Sequence, residues 1–202
     1  MRVRCLGRVS YEDALTRMRE FTAQRTPETP DELWLLEHPP VYTLGLAADR
    51  AHGPRVDNGI PLVQVERGGE ITYHGPGQAV LYTLVDLARR GIKVREFVCL
   101  LEQAVIDLLA DHGVRAGRRP GAPGVYVEGA KVAALGIRIT RGRAYHGLAL
   151  NVDMDLAPFS AIDPCGMAGL RVTQARELGI ADTPDALGAR LAEMLAQRIG
   201  DA

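Results

Sequence analysis

Residues 124–140 read GVYVEGAKVAALGIRIT, and this stretch decides the fold class. Two runs rich in β-branched and small apolar residues flank Gly129, which predicts a β-hairpin over residues 125–140. Of the 22 glycines, 16 lie between Gly59 and Gly169, so the surrounding chain is also expected to form strands joined by tight turns. The middle of the chain is therefore predicted to be a sheet.

The flanks and connections of this sheet follow from apolar spacing and turn residues. Further strands are predicted over residues 33–36, 41–44, 63–66, 70–74, 79–85 and 144–152. Helices are predicted after the N-cap Ser10, over residues 94–112, and from Pro184 to about Ile199. The expected fold is α/β: a single domain over residues 1–202, with a mixed or antiparallel sheet flanked by helices.

The composition limits the class of protein. The 202 residues are 47% hydrophobic and 24% charged with a net charge of −1, which is typical of a globular protein and argues against disorder and nucleic-acid binding. No apolar run approaches the roughly 18 residues of a membrane span. The first residues lack the features of a signal peptide. We expect a cytoplasmic protein that binds neither nucleic acid nor membrane.

The three cysteines have different sequence contexts. Cys5 lies in a predicted strand and Cys99 among apolar residues of a predicted helix, so both are expected in the core. Cys165 lies in the turn Asp163-Pro164-Cys165-Gly166, where proline and glycine favour an accessible thiol. Two interpretations remain open at this point, a nucleophile or a small loop residue.

Lysine is rare in this chain. All of the 24 basic residues except Lys93 and Lys131 are arginine, and of the two side chains only lysine can lose its proton and act as a base. In a regular strand, Lys131 shares its face with Ala133 and Leu135, which predicts an inward, desolvated amine suited to a base. Alternatively, it extends to water. Lys93 is expected to be a surface charge.

Two glycine-containing stretches are candidate walls of a binding site. Residues 67–78 can cradle a phosphate, line a narrow acyl tunnel or simply turn tightly, because glycine lets backbone approach a ligand closely. Residues 146–151 form the second candidate wall. The chain has no nucleotide P-loop motif.

Basic residues outnumber acidic ones between Arg115 and Arg143. The only acid there is Glu128, so the local charge is strongly positive. This stretch is either a solvated hairpin face or a docking patch for an acidic partner.

Four sequence blocks in a fixed order resemble one enzyme family. They are RGGEITYHGPGQAVLYTLVDL (67–87), GVYVEGAKVAALGIRI (124–139), HGLALNVDMDLAPF (146–159) and the turn around Cys165. Together they resemble the lipoyl(octanoyl) transferases over nearly the whole chain. The resemblance implies a fold like the catalytic domain of biotin and lipoate protein ligases.

The resemblance also assigns roles to individual residues. The acyl-thioester cysteine of the family matches Cys165, and the lysine that activates it matches Lys131. The acyl-binding segments match Arg67, Gly68, Gly69, Glu70, Ile71, Thr72, Tyr73 and His74, then Ala134, Leu135 and Gly136, and finally Gly147, Leu148 and Ala149.

The reaction implied by the resemblance is transfer of an octanoyl group without ATP, metal or another cofactor. The donor would be octanoyl-acyl carrier protein, which carries the acyl group on phosphopantetheine. The acceptors would be a lysine of the lipoyl domains of 2-oxoacid dehydrogenase E2 subunits and of the glycine cleavage H protein. The alternatives are an ATP-using ligase of the same fold and a binding module with an inert Cys165.

Overall fold

The computed structural model describes residues 1–48, 53–163 and 169–200. The helices in these ranges are α1 (Tyr11–Gln24), α2 (Leu87–Arg90), α3 (Val94–Asp111) and α4 (Pro184–Gly200). The strands are β1 (Arg2–Arg8), β2 (Glu32–Glu37), β3 (Val41–Leu44), β4 (Leu62–Gln64), β5 (Ile71–His74), β6 (Gln78–Asp86), β7 (Gly124–Val127), β8 (Ala130–Thr140) and β9 (Arg143–Asn151). Short 3-10 helices lie at Ala157–Ala161 and Ala175–Leu178.

The described strands form a large sheet and a small sheet. The large sheet has the order β1-β2-β6-β9-β8-β7, and the small one has the order β4-β3-β5. β1 is parallel to β2, β4 is parallel to β3, and the remaining neighbours are antiparallel. The predicted α/β class with a mixed sheet flanked by helices is confirmed.

The hairpin of β7 and β8 turns where the sequence predicts. Glu128 and Gly129 both have positive φ, at 49° and 79°. Positive φ at both central residues matches the right-handed twist of the flanking strands, which is why a two-residue hairpin loop favours glycine. The local sequence therefore determines this hairpin.

The helix ends also follow the local sequence. The Ser10 hydroxyl accepts a hydrogen bond from the Asp13 N–H at 3.1 Å and caps α1. Thr183 caps α4 in the same way through the Ala186 N–H at 3.2 Å. α3 ends before Gly113, whose φ of 76° is the left-handed conformation that glycine adopts after a helix.

No helix of the described chain is both long and apolar enough to span a bilayer.

Apart from the edge strand β1, the large sheet is mostly buried on both faces. One face, which we call the helix face, packs against α3 and α4 through residues such as Leu81, Leu108, Leu148 and Leu195. The opposite face, which we call the cavity face, packs partly against α1 through residues such as Met18. The small sheet forms its own cluster with the segment that follows β9, including Phe159.

The expectation that Cys5 and Cys99 lie in the core is wrong, because both thiols are exposed. Cys5 lies on β1, which has a neighbour on one side only among the described strands and is mostly exposed. In α3 the buried residues include Phe97 and Leu101. Cys99 is two positions from each of them and therefore faces away from the buried stripe.

Candidate active site

A cavity lies between the cavity face of the large sheet, the start of α1 and the segment around β5. Its wall is formed by Tyr11, Arg67, Gly69, Glu70, Ile71, Thr72, His74, Val80, Tyr82, Lys131, Ala134, Leu135, Gly136, His146, Gly147, Leu148, Ala149, Asn151, Phe159 and Val172. Most of these residues are apolar or glycine, and the polar ones include Lys131, Asn151 and Arg67. The cavity is therefore suited to a narrow apolar chain with a polar head.

Strand register orders the floor of this cavity into rows. Gln78 lies opposite Asn151 in the first row. The next row on the same face is Val80, Ala149 and Ala134, and the row after it is Tyr82, Gly147 and Gly136. Small side chains thus occupy the middle of the floor, because alanine and glycine fill two of the three strands there.

Lys131 lies at the Asn151 end of the cavity and is only 3% exposed. Its Nζ donates a hydrogen bond to the Pro123 carbonyl at 3.1 Å and lies 5.2 Å from the ring centroid of Tyr126. A Cβ on Gly124 would lie 3.2 Å from this Nζ, so glycine leaves the amine its room. Lys131 is therefore held inside the protein and does not extend to water.

A β-bulge at Val132 changes the predicted face of Lys131. Tyr126 pairs with Lys131 and Val125 with Ala133, so β8 has one extra residue between these pairs. Val132 and Ala133 both belong to the helix-face core, whereas Lys131 lines the cavity. The predicted burial of Lys131 is confirmed, but the prediction that it shares a face with Ala133 is wrong.

The backbone of Lys131 joins β8 to a segment late in the chain. Its N–H donates to the Arg171 carbonyl at 2.9 Å, and its carbonyl accepts from the Thr173 N–H at 3.0 Å. These bonds bring Val172, a residue of the cavity wall, beside Lys131. Cys165 precedes this segment in the sequence but lies in residues 164–168, outside the described residues.

Arg67 closes the other end of the floor. Its buried guanidinium donates to the carbonyls of Thr43 and Glu70, each at 2.8 Å, and so holds the loop of residues 67–70 against β3. The Gly68 N–H donates to the Ile137 carbonyl at 2.9 Å, which attaches the same loop to β8. A Cβ on Gly136 would lie 2.9 Å from the Gly68 carbonyl oxygen, so this crossing requires glycine.

Three buried histidines and two tyrosines adjoin the cavity. His38 Nδ1 donates a hydrogen bond to the Val9 carbonyl, and its Nε2 accepts one from the Tyr82 hydroxyl, each at 2.7 Å. His74 Nδ1 lies 2.7 Å from Gln78 Oε1, and its ring stacks on Tyr11. Ring contacts of 5.1–6.0 Å continue this cluster to His146.

Burial keeps these rings neutral. It lowers the pKa of His38 to about 4, and it lowers the pKa of His74 and of His146 to about 3, because a charged imidazolium would lose its hydration there. Burial likewise raises the pKa of Tyr11 to about 12. The cavity therefore offers neutral hydrogen-bonding groups.

A charged network lies beyond Arg67. Glu66 accepts hydrogen bonds from Arg19 and from the Tyr145 hydroxyl, the latter at 3.0 Å. The hydrogen bond from Arg19 lowers the pKa of Glu66 to about 2 despite partial burial. Glu66 therefore stays ionised and fixes the position of Tyr145, whose ring stacks on His146.

The predicted acyl-binding residues nearly all lie on the cavity wall. Tyr73 instead faces the core of the small sheet and packs against Tyr42 and Phe159. Gly68 lies in the closing loop but is absent from the wall among the described residues.

Several residues of the cavity wall are not predicted from the sequence. Tyr11 lies in the first turn of α1, Val80 and Tyr82 lie in β6, and Phe159 and Val172 lie in later segments. β6 is buried along its whole length. Its apolar run shows no alternation with polar residues, which is the sequence pattern of a strand covered on both faces.

The basic stretch between Arg115 and Arg143 does not form one solvated patch. Arg118 binds Glu102 at 2.9 Å, Arg143 Nε lies 3.7 Å from an Asp86 oxygen, and Lys131 is buried. The docking interpretation therefore rests on the remaining arginines only.

The mixed sheet carries a buried lysine beside a narrow and mostly apolar cavity, an arrangement suited to binding an unbranched acyl chain. Residues 10–195 match the family model described as the lipoyl protein ligase A/B catalytic domain, and the chain belongs to this family.

Close relatives carry one enzyme name, octanoyltransferase. The relative from Dechloromonas aromatica is 58% identical and covers 98% of this chain and 96% of its own length. The relative from Aromatoleum aromaticum is 62% identical over 94% of this chain and 81% of its own length. The relative from Thiobacillus denitrificans is 64% identical over 88% of this chain and 81% of its own length. The predicted family and the predicted enzyme class, an acyltransferase, are confirmed.

Solved structures of low sequence identity share the fold. A lipoate-protein ligase A bound with ATP superposes with a TM-score of 0.81 at 16% identity, over 98% of this chain and 85% of that one. The biotin protein ligase from Aquifex aeolicus superposes with a TM-score of 0.59 at 10% identity, over 100% of this chain and 70% of that one. The predicted likeness to the catalytic domain of these ligases is confirmed.

Proposed function

We propose that this enzyme transfers an octanoyl group from acyl carrier protein to a protein lysine through a thioester on Cys165. The observation that carries the proposal is the position of Lys131, buried at one end of an apolar cavity and joined by its backbone to residues 171–173. The shared name of relatives at 58–64% identity supports the octanoyl group as the cargo.

The cavity suits an unbranched acyl chain. Its middle is floored by Ala134, Gly136, Gly147 and Ala149, so a thin chain can lie on the sheet. Each methylene buried there contributes roughly 0.8 kcal/mol of binding free energy. The reacting carbonyl would then lie near Lys131 and the terminal methyl group near Arg67.

Cys165 belongs to a segment whose flanks reach the cavity. Phe159, six residues before it, and Val172, seven residues after it, both line the wall. The Asp163 carboxylate binds the Arg55 guanidinium at 2.8 Å and fixes one flank. The bonds of Lys131 to residues 171–173 fix the other. This arrangement supports a reaction between Cys165 and a group beside Lys131.

The first half-reaction moves the acyl group to the enzyme. Lys131 accepts the thiol proton of Cys165, and the thiolate attacks the octanoyl carbonyl, as an activated nucleophile requires. A carbon–sulfur bond to Cys165 forms while the one to pantetheine breaks. Lys131 then gives its proton to the departing thiolate.

The second half-reaction moves the acyl group to the acceptor. The neutral amine of the substrate lysine attacks the Cys165 thioester, its carbon–nitrogen bond forms, and the bond to sulfur breaks. Lys131 transfers the surplus proton of the amine to the Cys165 sulfur. Both steps balance without ATP, metal or another cofactor, so we propose that none is used.

The acceptors would be lipoyl domains of 2-oxoacid dehydrogenase E2 subunits and the glycine cleavage H protein. The compartment would be the cytoplasm, where acyl carrier protein supplies the octanoyl group. We propose no contact with nucleic acid or membrane.

Intact-mass analysis tests the thioester. The enzyme mixed with octanoyl-acyl carrier protein, without ATP or Mg²⁺, should gain one octanoyl group, and peptide mapping should place it on Cys165. Addition of a lipoyl domain should discharge it to a lysine. An enzyme that turns over without any acyl adduct would contradict the mechanism.

The other two cysteines provide matched controls. Cys5 and Cys99 are exposed and are not part of the described cavity wall, so Cys5→Ser/Cys99→Ser should acylate normally, whereas Cys165→Ser should not accept the group as a thioester. Modification of a lipoyl domain by free octanoate only when ATP is present would instead indicate a ligase.

A further inference from the structure

Helix α3 carries a carboxylate on the side that meets the sheet. Glu102 is only 6% exposed and follows Leu101, which is fully buried in the core of the helix face. A carboxylate removed from water costs free energy unless it is paired and hydrogen-bonded. The position of Glu102 therefore requires partners that compensate its burial.

Glu102 has one partner near the surface and one in the backbone. Its Oε2 accepts a hydrogen bond from Arg118 Nε at 2.9 Å, and its Oε1 accepts one from the Gly124 N–H at 3.0 Å. Arg118 is itself held to α3, because its Nη2 donates to the Cys99 carbonyl at 3.0 Å and to Gln103 Oε1 at 2.8 Å. The carboxylate is thus fixed in position, and it restrains the backbone at the start of β7.

The Gly124 N–H belongs to the same peptide unit as the carbonyl that binds Lys131. The Pro123 carbonyl accepts a hydrogen bond from Lys131 Nζ at 3.1 Å. A trans peptide unit is rigid and planar, and its N–H and C=O point in opposite directions. Glu102 and Lys131 therefore lie on opposite sides of one rigid unit, which we call the 123–124 peptide, and one hydrogen bond on each side connects them through it.

The backbone at Gly124 is adapted to this contact. Its φ is 140°, a conformation that residues with a side chain rarely adopt. A Cβ there would lie 2.7 Å from the Ala133 carbonyl oxygen and 3.0 Å from Lys131 Cε. The 123–124 peptide thus lies directly against the lysine side chain, and a backbone in this conformation persists where its surroundings hold it. The hydrogen bond to Glu102 supplies such a restraint.

The arrangement matters most when Lys131 is charged. In the proposed reaction the amine takes the thiol proton of Cys165 and becomes an ammonium inside the protein, where a charge needs polar groups to compensate it. Hydrogen bonds in a chain polarise one another, so the Glu102 carboxylate at the N–H makes the Pro123 carbonyl a stronger acceptor. The same carbonyl restrains the direction in which Nζ points. Loss of the carboxylate should therefore impair proton transfer and leave the acyl cavity intact.

We propose that Glu102 is a positioning residue, which holds the 123–124 peptide and thereby orients the Lys131 amine for the proton transfers of acylation. The inference rests on the proposed function, because it takes Lys131 to be the base. The alternative is a purely structural bond between α3 and β7. The two interpretations differ in what a substitution of Glu102 does when the amine itself is absent.

Glu102→Gln tests the proposal because it removes the charge and keeps the length of the side chain. The rate of Cys165 acylation at saturating octanoyl-acyl carrier protein should fall about tenfold or more, since misplacement of a reacting group by about 1 Å costs up to about 100-fold. The Kd of octanoic acid should stay within about twofold of the wild-type value, because the described cavity wall does not include Glu102. Rapid-quench intact mass and calorimetry measure the two quantities.

Asp107→Asn is the matched control. Asp107 lies on the same helix, binds Arg198 and accepts a hydrogen bond from Gln103 Nε2 at 2.8 Å. The change from carboxylate to amide is the same, but among the described residues the hydrogen bonds of Asp107 do not reach the 123–124 peptide. Its acylation rate should stay within about twofold of the wild-type rate. An equal loss in the two variants would overturn the proposal.

The Lys131→Met background separates positioning from structure. If Glu102 acts through the amine, Glu102→Gln should change the residual acylation rate of Lys131→Met by less than about twofold, because the two substitutions remove the same contribution. The proposal is wrong if Glu102→Gln causes the same loss in both backgrounds, or if it causes no loss when the lysine is present.

Arg118→Gln keeps the proposal testable if Glu102→Gln does not fold. It removes the guanidinium that holds the carboxylate, at a partly exposed position where substitution has a small effect on stability. Its acylation rate should be lower than that of Arg119→Gln, which changes the neighbouring exposed arginine. Equal rates in these two variants would contradict the positioning role.

The outcomes also distinguish this proposal from the proposed function. If Lys131→Met slows acylation and Glu102→Gln does not, only the positioning role fails. If the wild-type enzyme forms no Cys165 thioester, or if Lys131→Met acylates at the wild-type rate, the proposed function fails, and the positioning role fails with it because there is no base to orient.

Discussion

The two faces of the large sheet are both buried, but they are buried by different chemistry. The helix face meets α3 and α4 through Leu, Val and Ala side chains. The cavity face carries histidine, tyrosine, asparagine and lysine around a narrow space. Apolar burial stabilises the fold in proportion to its area, whereas buried polar groups lower stability unless they are paired. The comparison indicates that one face holds the domain together and the other is shaped for a reaction.

The largest expected effect lies at Lys131 on the cavity face. Lys131→Met removes the proposed base and should lower the Cys165 acylation rate about 100-fold or more, the usual contribution of general acid–base catalysis. Lys131→Arg should be similarly inactive, because a guanidinium keeps its proton. Rapid-quench intact mass measures the rate.

The second lysine supplies the control for this experiment. Lys93 is exposed at the start of α3, so Lys93→Arg should acylate at the wild-type rate. Full activity of Lys131→Arg would show that the position needs only a positive charge and that the assignment of a base is wrong.

The helix face should show the opposite behaviour. Leu108 is fully buried against this face, so Leu108→Ala should lower the free energy of unfolding by about 2–5 kcal/mol. The acylation rate per folded molecule should hardly change, because no cavity residue moves. Urea denaturation and activity at low temperature give the two quantities. Loss of activity without loss of stability would remove the distinction between the faces.

Gly136→Ala tests the place where the closing loop meets the cavity floor. The new Cβ would lie 2.9 Å from the Gly68 carbonyl oxygen and 3.0 Å from Arg67 Cδ. We expect a loss of about 1–3 kcal/mol in stability from overpacking, with weaker octanoate binding in calorimetry. Gly117→Ala has open space around its Cβ and should leave both values unchanged. Equal effects in the two variants would mean that the loop adapts freely.

The smallest effect concerns the pH dependence of stability. Burial lowers the pKa of His146 to about 3 in the folded protein, while an unfolded chain binds the proton near pH 6.5. The unfolded state therefore takes up the proton first, and stability falls as the pH decreases from about 6.5 towards 3. His146→Asn should reduce this slope by up to about 1.4 kcal/mol per pH unit.

The free energy of unfolding should be measured between pH 6.5 and 4.5, because Glu66 contributes to its pH dependence only below this range. The Arg19 hydrogen bond holds the pKa of Glu66 near 2, so its stabilising effect is lost only as the pH falls below about 4.5. His112→Asn is the control, because His112 lies at the surface end of α3. If His112→Asn reduced the slope of stability against pH as much as His146→Asn does, the explanation by burial of His146 would be wrong.

Sequence patterns predict the helix face and the secondary structure well because both depend on local periodicity. The β7–β8 hairpin, α3 and the capped starts of α1 and α4 all lie within a residue or two of their predicted places. The glycine-containing stretch 67–78 already predicts the wall around His74, whereas the part around Gly136 could be predicted only through the family resemblance. Tyr11 could not be predicted, because a tyrosine in the first turn of a helix has no local feature that connects it to β9.

The predictions for Cys5, for Cys99 and for the basic stretch fail for physical reasons of the same kind. Cys5 and Cys99 look apolar in sequence, but exposure depends on which strand lies at the edge and which side of a helix meets the sheet. The positive charge between Arg115 and Arg143 is partly neutralised by acids from elsewhere in the chain, Glu102 and Asp86. Long-range neighbours decide all of these outcomes.

The bulge at Val132 has a consequence for how this enzyme tolerates changes in chain length. Lys131 and Ala133 lie on opposite faces, so deletion of this single valine would restore regular alternation and leave the amine of Lys131 on the cavity face, while the helix face lost one fully buried side chain. Insertions and deletions are usually harmless in surface loops and harmful in strands. Here a deletion at the bulge should weaken the packing of the helix face and still leave the functional amine in the cavity.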